Sequence, residues 1–164
     1  YFARELFYHG RYEEAAARLT RFLDDGQGWV ENQIEGCRQL SLCYYALGKP
    51  EAALQALFRS FAYDEPRAEL CCDIGKHFLD RERYRPAMFW YALAASRTRN
   101  DTSGGFVQPD CYDYIPYLQL CICLDRMGNY PAACKPDSAA CLANRRYFAE
   151  TRHLSCCDAS SSQA

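Results

Sequence analysis

Gly10-Arg-Tyr-Glu-Glu-Ala15 is the first of four copies of one short signature, and its recurrence decides the fold. The others are Gly48-Lys-Pro-Glu-Ala-Ala53, Glu82-Arg-Tyr-Arg-Pro-Ala87 and Gly128-Asn-Tyr-Pro-Ala-Ala133. Turn positions 10, 48, 82 and 128 are separated by 38, 34 and 46 residues. A period near 34 with this turn marks a helix-turn-helix repeat, each copy closing one helix and opening the next. Units of this kind bury their apolar faces by stacking on neighbours, which builds a superhelix with a concave face.

The register extends outward. Seven residues before each turn stand Ala3, Ser41, Gly75 and Cys121, all small. Four before it stand Leu6, Tyr44, Phe78 and Leu124, all large and apolar. Nine after it come Leu19, Leu57, Tyr91 and, in a degenerate fourth copy, Asp137. Small residues matched to large ones are the packing rule of a helical hairpin. Over residues 1–150 the pattern resembles the tetratricopeptide repeat; an irregular bundle with chance self-similarity is the alternative. The expected fold is all-α, an α-α superhelix with at least seven helices and a right-handed stack. Residues 1–153 form one repeat domain, and the polar stretch 154–164 reads as a disordered tail. Tyr12, Ala15, Tyr44, Ala53, Phe78, Ala87 and Leu124 are the expected core.

Helix boundaries follow from punctuation. Gly26 and Gly28 stop the first hairpin, and the next helix starts near Trp29. Pro50 suits a first helical turn, whose helix runs to about Tyr63. Asp64-Glu-Pro66 is an inter-repeat turn. The third hairpin spans Arg67 to about Ser96, and a loop from Arg97 to Cys111 explains the 46-residue spacing. Such a loop is either functional or a tolerated insertion. The fourth first-helix runs from about Asp113 to Met127. Pro131 and Pro136 leave little room for its partner, which has shrunk to a turn or lost residues, and a capping helix follows from Ser138 to about Arg152.

Composition excludes several functions. The chain has 164 residues, a formal charge of −2 and 15% aromatic residues, thirteen of them tyrosine. No basic stripe marks a nucleic-acid binder. No apolar run reaches membrane-spanning length, and no signal-peptide pattern opens the chain. Tyr1 lies already inside a repeat, so a fragment of a longer polypeptide is expected. Eleven cysteines include no Cys-x-x-Cys pair. Core filling by free thiols is the preferred reading over metal or disulfides, and it fits a cytoplasmic protein. The role of Cys156-Cys157 is open. His9, His77 and His153 are far apart in sequence and read as structural. Asp110-Cys-Tyr-Asp113 reads as turn and helix-cap chemistry. No catalytic, metal or cofactor residue is assigned.

A sharper resemblance rests on whole strings. Ala3-Arg-Glu-Leu-Phe-Tyr-His-Gly-Arg-Tyr-Glu-Glu-Ala15, Arg59-Ser-Phe-Ala-Tyr-Asp64, Phe89-Trp-Tyr-Ala-Leu93, Gly104-Gly-Phe-Val107, Pro109-Asp-Cys-Tyr-Asp113 and Asn144-Arg-Arg-Tyr-Phe148 resemble the C-terminal repeat region of bacterial family 2 glycosyltransferases. The resemblance implies a preceding catalytic domain whose Asp-x-Asp motif holds a divalent metal, a motif this chain does not contain. Three functions follow as expectations: an interaction module binding a protein, a peptide or itself; a tail holding the glycan or peptide acceptor of an attached transferase; or a stand-alone adaptor. The binding surface is expected on the first helix of each hairpin: Arg4, Phe7 and Tyr8; Arg38, Leu42 and Tyr45; Lys76, Leu79 and Asp80. Arg4, Arg38 and Lys76 would form a cationic ladder there.

Overall fold

The computed structural model describes residues 2–99 and 105–128. Within them lie seven α-helices and no strand. They are α1 (Phe2–Tyr8), α2 (Tyr12–Asp25), α3 (Val30–Ala46), α4 (Pro50–Arg59), α5 (Ala68–Leu79), α6 (Tyr84–Ala95) and α7 (Ile115–Arg126). Each packs chiefly on its neighbours in the chain. Three hairpins are therefore complete, and α7 begins a fourth. The fourth hairpin's second helix, the capping helix, the polar tail, His153 and the cysteines beyond Cys123 lie outside the described residues.

The signature works through one backbone device used three times. Gly10 N–H bonds Phe7 O (3.0 Å) and Arg11 N–H bonds Leu6 O (2.9 Å). The same pair recurs as Gly48 to Tyr45 and Lys49 to Tyr44, and as Glu82 to Leu79 and Arg83 to Phe78. This is the Schellman closure of a helix C-terminus, which needs a left-handed residue at its hinge. Gly10 (φ 73°) and Gly48 (φ 68°) supply it cheaply; Glu82 (φ 57°) adopts it against the preference of a residue with a Cβ. One turn later, the N–H groups of Ala15, Ala53 and Ala87 bond the carbonyls of Arg11, Lys49 and Arg83 and start the second helix. All three alanines are fully buried at the crossing.

Three apolar clusters run along the array, as stacking requires. Leu6, Leu19, Leu23, Cys37 and Leu40 fill the α1–α3 core. Ile34, Leu57, Leu70 and Ile74 join α3 and α4 to α5. Ala87, Tyr91, Cys111 and Cys123 fill the α5–α7 core. Gly75 and Tyr91 complete the small-to-large register: a Cβ at Gly75 would stand 2.9 Å from the Tyr91 ring.

Four of the expected core residues are only half-buried: Tyr12, Tyr44, Phe78 and Leu124. Three of them flank the hairpin turns, where one face of the side chain meets solvent. Tyr12 leans on Phe7 (5.2 Å between rings), and Arg83 lies over the Phe78 ring (5.1 Å). Six of the seven described cysteines are buried, whereas Cys121 is half-buried, and all seven carry free thiols. Burial pushes the Cys37 thiol up to about 11 and Cys71 to about 12, so both stay protonated as small hydrophobes. Asp113 does not cap α7; Tyr114 holds that position without a side-chain bond that caps the helix, and Pro109–Tyr112 winds instead as a 3-10 turn.

Candidate functional site: a groove between first helices and the segment that walls it

The expected binding residues separate into two groups. Arg4, Phe7 and Tyr8 of α1 gather with Leu42 of α3 around a small cavity of about 90 Å³, also lined by Glu35 and Gln39. It runs on, through the shared Arg4, Leu19, Glu35 and Gln39, into a cavity of about 390 Å³ that adds Arg18, Phe22, Asn32 and Phe106. The result is one groove between α1 and α3, floored by α2. Tyr8 is 67% and Leu42 48% exposed on its rim. Phe7 is partly buried and packs its ring edge against Tyr8.

The remaining residues serve neighbouring helices. Arg38 forms an ion pair with Asp73 of α5 (2.5 Å) and donates from Nη2 to Gln108 Oε1 (2.9 Å). Tyr45 meets Nδ1 of His77 through its hydroxyl at 2.7 Å. Burial pushes Tyr45 up to about 12 and, with Arg81 nearby, pushes His77 below its ordinary value. Both groups are thus neutral at physiological pH, and the imidazole tautomer sets which of the two donates. Lys76 pairs with Asp80 one turn along α5 (2.9 Å), and Leu79 packs into the α5–α7 core. Arg38 and Lys76 therefore each face a carboxylate of their own chain.

The long loop turns out to belong to this face. Residues 105–112 lie across α3 and α5, fastened by the buried Glu69 carboxylate and by Arg38, with Gly105 seated against a second buried carboxylate, Glu31. Glu69, 4% exposed, accepts from the Gln108 amide (2.8 Å) and from the Tyr112 hydroxyl (2.8 Å). Glu31, 6% exposed, is gripped by both terminal nitrogens of Arg67, one at 2.7 Å. A Cβ at Gly105 would land on that carboxylate, so only glycine lets the segment settle there. Buried carboxylates need partners: Glu31 has the Arg67 guanidinium, and each oxygen of Glu69 accepts a hydrogen bond. Between the anchors Phe106 projects, 55% exposed. It walls the α1–α3 groove on one side and a polar cavity of about 310 Å³ near Arg67 and Arg97 on the other.

Sequence reasoning missed three features. One is this clamp, whose partners are 36 to 43 residues apart. Another is the pairing of Tyr45 with His77. The third is an aromatic patch on the second helices, where Phe61 stacks on Trp90 (5.9 Å) and Phe58 and Phe89 lie against the same indole (5.6 and 5.4 Å). Spacing alone signals none of them; only the crowding of aromatics in Phe58-Arg-Ser-Phe61 and Phe89-Trp90 hints at the last.

Helical hairpins closed by one repeated turn and stacked on their neighbours define a tetratricopeptide-like superhelix. The crystal structure of the MamA protein has the same fold, with a TM-score of 0.65 over 94% of this chain and 75% of that one, at 16% identity. No family model matches the chain, and no curated protein matches it. No described helix is long and apolar enough to cross a membrane.

Proposed function

We propose that the chain is a protein-interaction scaffold whose α1–α3 groove receives a peptide segment of a partner. The observation that carries this reading is the convergence of exposed Tyr8, Leu42 and Phe106 with Arg4 around connected cavities. Aromatic, aliphatic and arginine side chains beside a preformed groove are the composition of interaction hot spots. The array is preassembled, so a partner need not order it on binding.

The test uses a phage-displayed library of random peptides, panned on the whole chain. Selected peptides should lose binding to a Tyr8→Ala/Leu42→Ala variant whose helical circular dichroism is unchanged. A library that yields no binder, or binders indifferent to both substitutions, would sink the reading.

On its finer context, we propose that the array is the C-terminal part of a family 2 glycosyltransferase. The quoted strings from Ala3 to Phe148 support this, and the groove would then serve that enzyme's assembly or its acceptor. Reading the coding sequence upstream of Tyr1 tests it: an α/β domain carrying Asp-x-Asp is the expected outcome, and its absence removes the proposal.

A further inference from the structure

The 105–108 segment shows how this face holds a piece of extended chain. Gln108 is in extended backbone conformation (φ −104°, ψ 100°). Its amide is taken by Glu69 of α5, and its side chain by Arg38 of the preceding first helix, α3. Phe106, two residues earlier, lies against the helix surface and borders a narrow space lined by Ile34, Glu35, Arg38 and Glu69.

The repeat register places a second acceptor of the same kind. Turn positions 48 and 82 are 34 residues apart, and so are Glu35 and Glu69. Glu35 is thus the counterpart of Glu69 one hairpin earlier, on α3. It borders both cavities of the α1–α3 groove as well as the space beneath Phe106. One of its oxygens accepts from Gln39 (3.1 Å), the other has no hydrogen bond among the described residues, and its charge is felt by Arg38 on the same helix. Arg4 on α1 lines the same groove. The site filled internally in the third hairpin is repeated, unfilled by the described chain, between the first and second.

We infer that the groove binds an extended peptide of a partner protein through a backbone N–H donated to Glu35, with an apolar side chain packed toward Phe106. This rests on the scaffold reading and gives it a ligand conformation and an acceptor atom. An extended strand suits the arrangement because its alternate amides and side chains point apart, so one row reaches the carboxylate while the other packs. The segment stays in place as a wall, since lifting it would strip the buried Glu69 carboxylate of both its donors.

The chain supplies its own probe: a labelled synthetic peptide copying residues 105–112 with Cys111→Ser. Fluorescence anisotropy against the whole protein should show saturable binding. Glu35→Ala should weaken it about tenfold, the scale of one charge-assisted hydrogen bond. Glu35→Gln, which keeps an acceptor, should recover part of the loss. Phe106→Ala in the peptide should weaken binding as well. Binding that Leu42→Ala weakens but Glu35→Ala leaves unchanged overturns this inference and leaves the scaffold reading standing. No binding, or binding indifferent to both, overturns the two together. A chain that sediments as a dimer until Leu42→Ala is introduced assigns the groove to a second copy, and overturns the peptide.

Discussion

In the first hairpin Ala3 is set beside Leu19, and no described segment lies over the groove above them. In the third, Gly75 stands against Tyr91, and the corresponding face is covered by the 105–112 segment. The two units share a turn, a Schellman closure and a buried alanine, yet they divide the labour. One trades side-chain volume across the crossing, a missing Cβ on α5 making room for a whole ring on α6. The other keeps an ordinary pair and leaves its first-helix surface for something else. The register fixes which positions must be small and large together, and leaves free how far each pair goes.

The sharpest break of that contrast comes from Tyr91. Tyr91→Ala should cost about 3–5 kcal/mol in urea denaturation, since a fully buried aromatic leaves a cavity that helices cannot close. Gly75→Ala alone should cost about 1–3 kcal/mol from overpacking against the ring. In the Tyr91→Ala background the sign should reverse, because alanine then only improves the helix by about 0.5–1 kcal/mol. Additive single effects would show that the two residues are not a packing pair.

A second probe addresses the covered face. Tyr112→Phe strands one oxygen of buried Glu69 and should cost about 1–3 kcal/mol. Gly105→Ala, which pushes on the Glu31–Arg67 pair, should speed hydrogen exchange of the Gln108 amide about tenfold while amides of α1 and α2 hold. Equal acceleration in both regions would mean that the segment is not anchored locally.

A smaller effect follows from the Tyr45–His77 contact. The folded imidazole titrates below its ordinary value, so the folded chain binds its proton more weakly than the unfolded chain does. That stabilisation is complete above about pH 6.5 and is lost as pH falls through the folded value. Thermal stability should therefore decline below neutrality, and His77→Gln should flatten the slope without touching the α1–α3 groove. Smallest of all, Lys76→Ala should change stability by no more than about 0.5 kcal/mol, as expected for an exposed pair one turn apart.

The turns, their glycines, Pro50 at the start of α4 and the starts of α3 and α5 were legible because each rests on local chemistry repeated in register. The groove was half legible. Arg4, Phe7, Tyr8 and Leu42 follow from counting back from a turn, since that periodicity sets the face of a helix. The destinations of Arg38 and Tyr45 were not, because Asp73 and His77 belong to another hairpin and an ion pair leaves no mark in spacing. The loop's length was visible at once; its docking on Glu69 was hidden, since nothing in the spacing sets that glutamate apart from any other on a helix.

Stacked hairpins normally know only their neighbours, so such arrays can fray unit by unit from an end. The 105–112 segment alters that. It ties α3 to α5 and to the entry of α7 through bonds that span up to 70 residues of chain. Contacts of that range must wait until distant parts have met, which raises contact order and slows folding relative to a plain array. Once made, they couple the second hairpin, the third and α7 into a single cooperative block, with α1 and α2 the described helices left outside it.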